Sequence, residues 1–306
     1  MLIQPYSEYI ESCKEEHIEA ALVGVTVAQM LAKNENGSNS YHILAWRSLF
    51  NKIPEKLISQ AVLLERDKSG RTPVHWLTAN RQLHWLAEEH RTEKLMLLLD
   101  DGKNTALQRA IAHGQTELIP TGLLTAVNLT YPNSKGYTGL HYAAQSSQLD
   151  KLPASVLTPE NLGIRTEDIK LTVYHEAASN GVLNQLPSAT LTLEALHLKD
   201  AEGFTVLHRA AEQGNLEQVP KVLLTIEALQ WELNNGTTVL MLAEEKNILH
   251  QIPLLKDTLR EMQTLTAAEK LRWVNVLTVY GILPEVRNIL EMDMSHLQKL
   301  GGWAGL

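Results

Sequence analysis

Apolar and polar positions along this chain follow a helical spacing that breaks and restarts every few residues. After Thr205, the apolar residues Val206, Leu207, Ala210 and Ala211 fall on one face of a helix at 3.6 residues per turn. The small alanines on that face let neighbouring helices approach closely. Val219, Val222 and Leu223 supply a second apolar face. This predicts a second helix opening at Pro220, because proline's missing N–H costs nothing in a first helical turn. The run Thr158-Pro159-Glu160-Asn161-Leu162 predicts a short third segment, with Thr158 as N-cap, proline at the first helical position and Glu160 placed for the helix dipole. Ahead of the first helix, Gly203 suits a tight turn with positive φ, and Thr205 offers its hydroxyl at the helix start.

The same pattern recurs at a fixed interval. The phrase from Gly203 to Gly214 has counterparts whose histidine position falls at His42, His75, Gln108, His141, His175, His208 and Met241, separated by 33, 33, 33, 34, 33 and 33 residues. Five positions earlier stands a glycine in five copies: Gly37, Gly70, Gly136, Gly203 and Gly236. Twelve positions later stands a proline in six: Pro54, Pro120, Pro153, Pro187, Pro220 and Pro253. Seventeen later, every copy has a hydroxyl residue: Ser59, Thr92, Thr125, Thr158, Thr192, Thr225 and Thr258. Features that stay in phase over seven copies identify a repeat architecture.

The phrase Gly-x-Thr-x-Leu-His-x-Ala-Ala-x-x-Gly at this spacing resembles the ankyrin repeat, most closely over Asp200 to Gly214 and Asn133 to Ala144. The second half of each unit departs from the usual ankyrin pattern, with Pro-x-x-Leu-Leu-Thr-x-x-x-Leu in its place. The resemblance implies an all-α, ankyrin-like helical solenoid of about nine units with degenerate ends, since terminal units must turn one face to water. It also implies that the repeated histidine bonds backbone and threonine groups between units. Three regions follow: a degenerate N-terminal capping unit at 1–33, seven units at 34–258, and degenerate capping helices with a tail at 259–306. In the first region, residues 22–37 align with 221–236, and Tyr6 to Lys14 stands as the leading helix. In the last, a helix from Ala267 to Trp273, an echo of the register at 276–286 and a loose tail at 301–306 are expected.

Catalytic and metal-binding patterns find little support. His175-Glu176 begins like a zinc-protease helix but lacks the second histidine. The segment around Gly102 to Thr105 lacks the glycine and Lys-Ser/Thr pair of a phosphate loop and falls on a repeat turn. Cys13 has His17 four residues on but no orienting third group, so a small buried apolar role is expected for it. The adjacent carboxylates Glu88-Glu89, Asp100-Asp101 and Glu244-Glu245 point in different directions on a helix and are read as solvated. No enzyme activity, cofactor or metal site is expected.

Binding is the remaining chemistry, because a repeat array presents the same position of each unit along one continuous surface. The resemblance implies contacts through the turn tips and the inner face of the first helix. Just before the threonine stand Arg71, Asn104, Tyr137, Leu171, Phe204 and Thr237; just after the histidine stand Ile43, Trp76, Arg109, Tyr142, Glu176, Arg209 and Leu242. Trp46, Arg47, Glu212 and Gln213 fall at further contact positions that the resemblance implies. Aromatic and arginine side chains favour interface hot spots. The candidate partner-binding set is therefore Trp46, Arg47, Arg71, Trp76, Arg109, Tyr137, Tyr142, Phe204, Arg209 and Glu212, with Trp76 and Tyr142 equally open to a core role.

Composition and charge narrow the partner. The 306 residues are 44% hydrophobic and 20% charged with a net charge of −8, ordinary for a soluble protein. Residues 1–153 carry a charge of −1 and residues 154–306 a charge of −7. On the predicted inner surface, Arg47, Lys68, Arg71 and Arg109 lie early and Asp168, Glu176, Glu202, Glu212 and Glu245 late, which suggests a bipolar groove that orients a protein partner. Nucleic acid is not expected, because no basic stripe is present. The longest early apolar stretch, Leu22 to Ala32, is far shorter than the roughly 20 residues of a membrane span. With a lone cysteine, a cytoplasmic monomer is expected, although delivery to a host as an effector stays open. A second reading is an acidic inhibitor, immunity-type or effector protein that blocks or recruits a target protein.

Overall fold

The computed structural model describes residues 5–248 together with 251 and 252. The expected helix at 267–273, the register echo at 276–286, the tail, Pro253 and Thr258 lie outside the described residues.

Each period opens with a seven-residue helix. These leading helices are Ser40–Trp46, Pro73–Ala79, Ala106–Ala112, Gly139–Gln145, Val173–Ser179, Val206–Glu212 and Val239–Glu245, and Tyr6–Ser12 stands ahead of them. They pack in chain order, each against the next. Among the described residues the protein is all-helical, with only isolated bridges such as Leu99 to Thr105 in place of strands. The buried face has the predicted composition: Leu77, Leu107, Leu140 and Leu207 lie in the core with Ala110, Ala143, Ala177 and Ala210.

The leading helices start where the sequence places them because each has a built cap. The Thr138 hydroxyl accepts from the His141 backbone N–H, and Thr105, Thr172 and Thr205 cap their helices in the same way, with Asn39 replacing threonine at Ser40. The glycine five residues before the histidine position has φ near +70 to +90° in all five copies. At Gly136 space decides as well as conformation, since a Cβ there would lie 2.6 Å from the Glu167 backbone nitrogen. The crowding arises because successive turn tips are stitched by backbone hydrogen bonds: Lys68 N–H to Asn36 O at 3.0 Å, Asp101 to Ser69 at 3.0 Å, Ser134 to Gly102 at 3.0 Å, Glu167 to Lys135 at 2.9 Å and Ala201 to Ile169 at 3.0 Å.

The repeated histidines are a second stitch, one layer deeper. His75 Nδ1 accepts from the Thr72 backbone N–H at 3.1 Å, which leaves Nε2 to donate to the Asn104 carbonyl of the next unit at 3.3 Å. His141 reaches Leu171 O at 3.3 Å and His175 reaches Phe204 O at 3.2 Å in the same way. Gln108 imitates the ring with an amide: its Oε1 accepts from Thr105 N–H at 2.9 Å and its Nε2 donates to Tyr131 O at 2.7 Å. Burial holds His75, His141, His175 and His208 down at about 4, so they are neutral in the folded chain.

The second half of the unit corrects the expected second helix. Pro220 has φ −53° and ψ 126°, an extended cap residue rather than a first helical one, and a single 3-10 turn, Lys221–Leu223, follows it. Pro120, Pro153 and Pro187 behave alike before Thr121–Leu123, Ala154–Val156 and Ser188–Thr190. Only four residues separate each proline from the next capping threonine, too few for an α-helix and enough for one 3-10 turn. The expected apolar face breaks accordingly, with Val219 buried but Val222 79% exposed. The third segment forms as read: Thr158 caps Pro159–Leu162 with the proline in the first turn.

Candidate binding face and its N-terminal cleft

The two rows of candidate contact residues are joined across each unit. The guanidinium of Arg71 stands 4.9 Å from the Trp76 ring centre, Tyr137 stacks on Tyr142 at 5.8 Å, and Arg209 lies over Phe204 at 4.1 Å. In each pair, the residue before the threonine meets the residue after the histidine, five positions on. Single candidate residues along the chain thus become lateral pairs.

A third partner, which sequence reasoning missed, sits nine residues before the second member of each pair. Asp67, Asn133 and Asp200 turn one side-chain oxygen onto the N–H groups two and four residues ahead, at 2.9–3.0 Å, and so hold the turn tip. Asp100 does the same for Asn104 N–H at 2.8 Å. The rest of the side chain faces the helix. Asp67 accepts from Trp76 Nε1 at 3.2 Å, Asn133 Nδ2 donates to the Tyr142 hydroxyl at 2.9 Å, Asp100 pairs with Arg109, and Asp200 accepts from Arg209 Nε at 3.0 Å. The recurring Asx at the start of the best-matched segments was the available signal.

Arg109 and Arg209 are therefore braces as well as surface residues. Burial works to raise the Asp100 carboxyl, but the hydrogen bonds from Arg109 and Asn104 outweigh it and hold the group below its ordinary value. Asp100 thus departs from its expected solvated role, while Asp101 beside it is exposed. Arg209 also takes Glu202 at 3.0 Å and Glu212 at 3.2 Å, so one cation sits among three carboxylates. Arg47 donates to the Ile10 carbonyl at 2.6 Å and anchors the N-terminal helix, which removes it from the expected basic patch. Glu176 is buried; desolvation raises its pKa, against the lowering hydrogen bonds of Gln145 and Tyr137.

The remaining candidates converge at the N-terminal end. Trp46, Arg71 and Trp76 line a cleft of about 320 Å³ together with Glu11, Ile43 and Lys68. Trp46 is 51% exposed, the most exposed aromatic side chain among the described residues. Arg71 and Lys68 form no ion pair among the described residues, and the Arg71 Nε is buried without a hydrogen-bond partner. Tyr137, Tyr142, Phe204, Arg209 and Glu212 lie half-buried farther along the row.

Other candidate chemistry does not assemble. The N-terminal helix ends at Ser12, so Cys13 is extended and half-buried against the core, its sulfur 3.6 Å from the Lys14 carbonyl, while His17 faces Glu16 at 3.8 Å. Among the described residues, no cluster of three or more His, Cys, Asp or Glu side chains could hold a metal ion, and no helix is long and apolar enough to cross a membrane. No family model matches this sequence, and no curated protein matches it.

Proposed function

We propose that this chain is an ankyrin-like helical solenoid of about nine units that acts as a non-catalytic protein-binding scaffold, gripping a partner through turn tips and leading helices. The observation that supports this most is the row of lateral pairs, Arg71 with Trp76, Tyr137 with Tyr142 and Phe204 with Arg209, running into a cleft walled by exposed Trp46. Such side chains bury much area with few lost rotamers, and the braces beneath hold them in place before a partner arrives. A charge asymmetry along the row supports a partner of fixed direction: Lys68 and Arg71 at one end, and three carboxylates around Arg209 at the other.

Quantitative affinity capture from cells of the source organism tests the proposal. The wild-type chain is compared with a Trp46→Ala, Tyr137→Ala, Phe204→Ala variant and with Val222→Ala, which alters an exposed residue outside the row. The triple variant should lose its specific partners at unchanged helical circular dichroism, while Val222→Ala keeps them. Equal recovery by all three chains would overturn it.

A further inference from the structure

Charge and hydrogen-bond accounting in the N-terminal cleft identifies the partner's chemistry, on the footing that the row of lateral pairs is a protein-binding face. Of the cleft's two carboxylates, Asp67 already accepts three hydrogen bonds, from Ser69 and Arg71 N–H on one oxygen and from Trp76 Nε1 on the other. Glu11 already accepts from Asn34 Nδ2 at 3.2 Å. The two cations differ: neither Lys68 nor Arg71 meets a carboxylate among the described residues. Arg109, by contrast, has its Nη2 committed to Asp100. Trp76 fixes the Arg71 guanidinium by stacking and leaves its outer edge for a planar, two-oxygen acceptor. A volume of about 320 Å³ lies at the small end of ligand pockets and holds two or three amino-acid residues.

We propose that this cleft takes a short acidic peptide segment of the partner, one carboxylate on Arg71 with Lys68 and an adjacent apolar side chain on Trp46. A carboxylate is the complement of two cations that have no carboxylate of their own, and the exposed Trp46 indole is the complement of the apolar neighbour. A basic segment would meet carboxylates that already have donors and two cations that repel it.

Panning a phage-displayed random decapeptide library on the full chain tests this. Enriched peptides should pair Asp or Glu with a neighbouring aliphatic or aromatic residue, and the best of them, fluorescein-labelled, should weaken in binding as salt rises. Arg71→Gln and Trp46→Ala should each weaken that peptide about tenfold or more. Lys135→Gln, a charge loss at a different turn tip, should leave it unchanged, with circular dichroism confirming that all variants fold. Enrichment of basic or carboxylate-free peptides, binding indifferent to Arg71→Gln, or no enrichment at all would overturn the acidic-peptide assignment. If partner capture still depends on Tyr137 and Phe204, the scaffold proposal stands without it. Loss of both would count against the binding face itself.

Discussion

The unit around Asp67 to Trp76 and the unit around Asp200 to Arg209 use one plan to opposite ends. In both, an aspartate holds the turn tip and reaches nine residues on to the leading helix. In the later unit it meets Arg209, and Glu202 and Glu212 add to it, so the cation is consumed inside the chain. In the earlier unit the aspartate meets Trp76, and the arginine stands five residues before it as Arg71, stacked but without a carboxylate. The availability of an arginine for a partner is thus set by which of two positions in the period it occupies.

Acid gives the largest expected effect on this comparison. His75 and His208 lie beneath the two units and titrate near 4 when folded, against an ordinary 6.5. Between these values the unfolded chain binds more protons than the folded one, so stability is complete above pH 6.5 and falls as pH drops toward 4. Each such histidine adds up to about 1.4 kcal/mol of slope per pH unit. The unit at Gln108 has no histidine at this buried position, and its one lowered histidine, His113, sits at the end of the helix, where burial and the cations Arg81 and Arg109 disfavour its charged form. Hydrogen exchange at pH 5 against pH 7 should show amides near His75 and His208 losing protection before those of Ala106–Ala112; uniform loss would show that the whole array opens as one.

Removing each arginine separates the two positions directly. Arg109→Gln strips the cation from buried Asp100 and should cost about 3 kcal/mol in urea unfolding. Arg71→Gln loses only a stacking contact and should cost about 0.5–1 kcal/mol. Equal losses would mean that Arg71 is as much a brace as Arg109, and the idea of a cation left over for a partner would fail.

Why the sequence disclosed one side of this and not the other follows from range. The turn glycine, the capping threonine and the histidine act within six residues and recur in phase in most of seven copies, so their period exposes them. Their cross-unit bonds, such as His75 to Asn104, follow once units stack. The pairing of Asp100 with Arg109 is also repeated, but its four copies take three chemical guises, Asp–Trp, Asp–Arg and Asn–Tyr, and residue identity alone hides the shared geometry. The prolines misled for a different reason. Their fit to a first helical turn is real, yet the next capping threonine arrives too soon for a helix to grow. Arg47, expected on the surface, is tied to Ile10 O because an N-terminal helix packs beside it, a contact that no local pattern encodes.

The smallest effect concerns the middle of the row, where the position after the histidine is Glu176 rather than an aromatic or arginine. Its carboxylate is buried beside Tyr137 and Gln145, and burial raises its pKa above the ordinary 4.5. For an acid with a raised folded pKa the sign reverses relative to the histidines: the folded chain holds the proton more tightly, so the penalty is absent below about pH 4 and grows as pH rises through the folded value. Glu176→Gln keeps an oxygen to accept from Gln145 Nε2, now at 2.9 Å, and removes the buried charge. The variant should be more stable by about 0.5–1 kcal/mol at pH 7 in urea unfolding, with the gain vanishing near pH 4. A variant less stable at pH 7 would instead assign Glu176 an attractive role toward Arg209, and would place both units' arginines in the same class of internally satisfied cation.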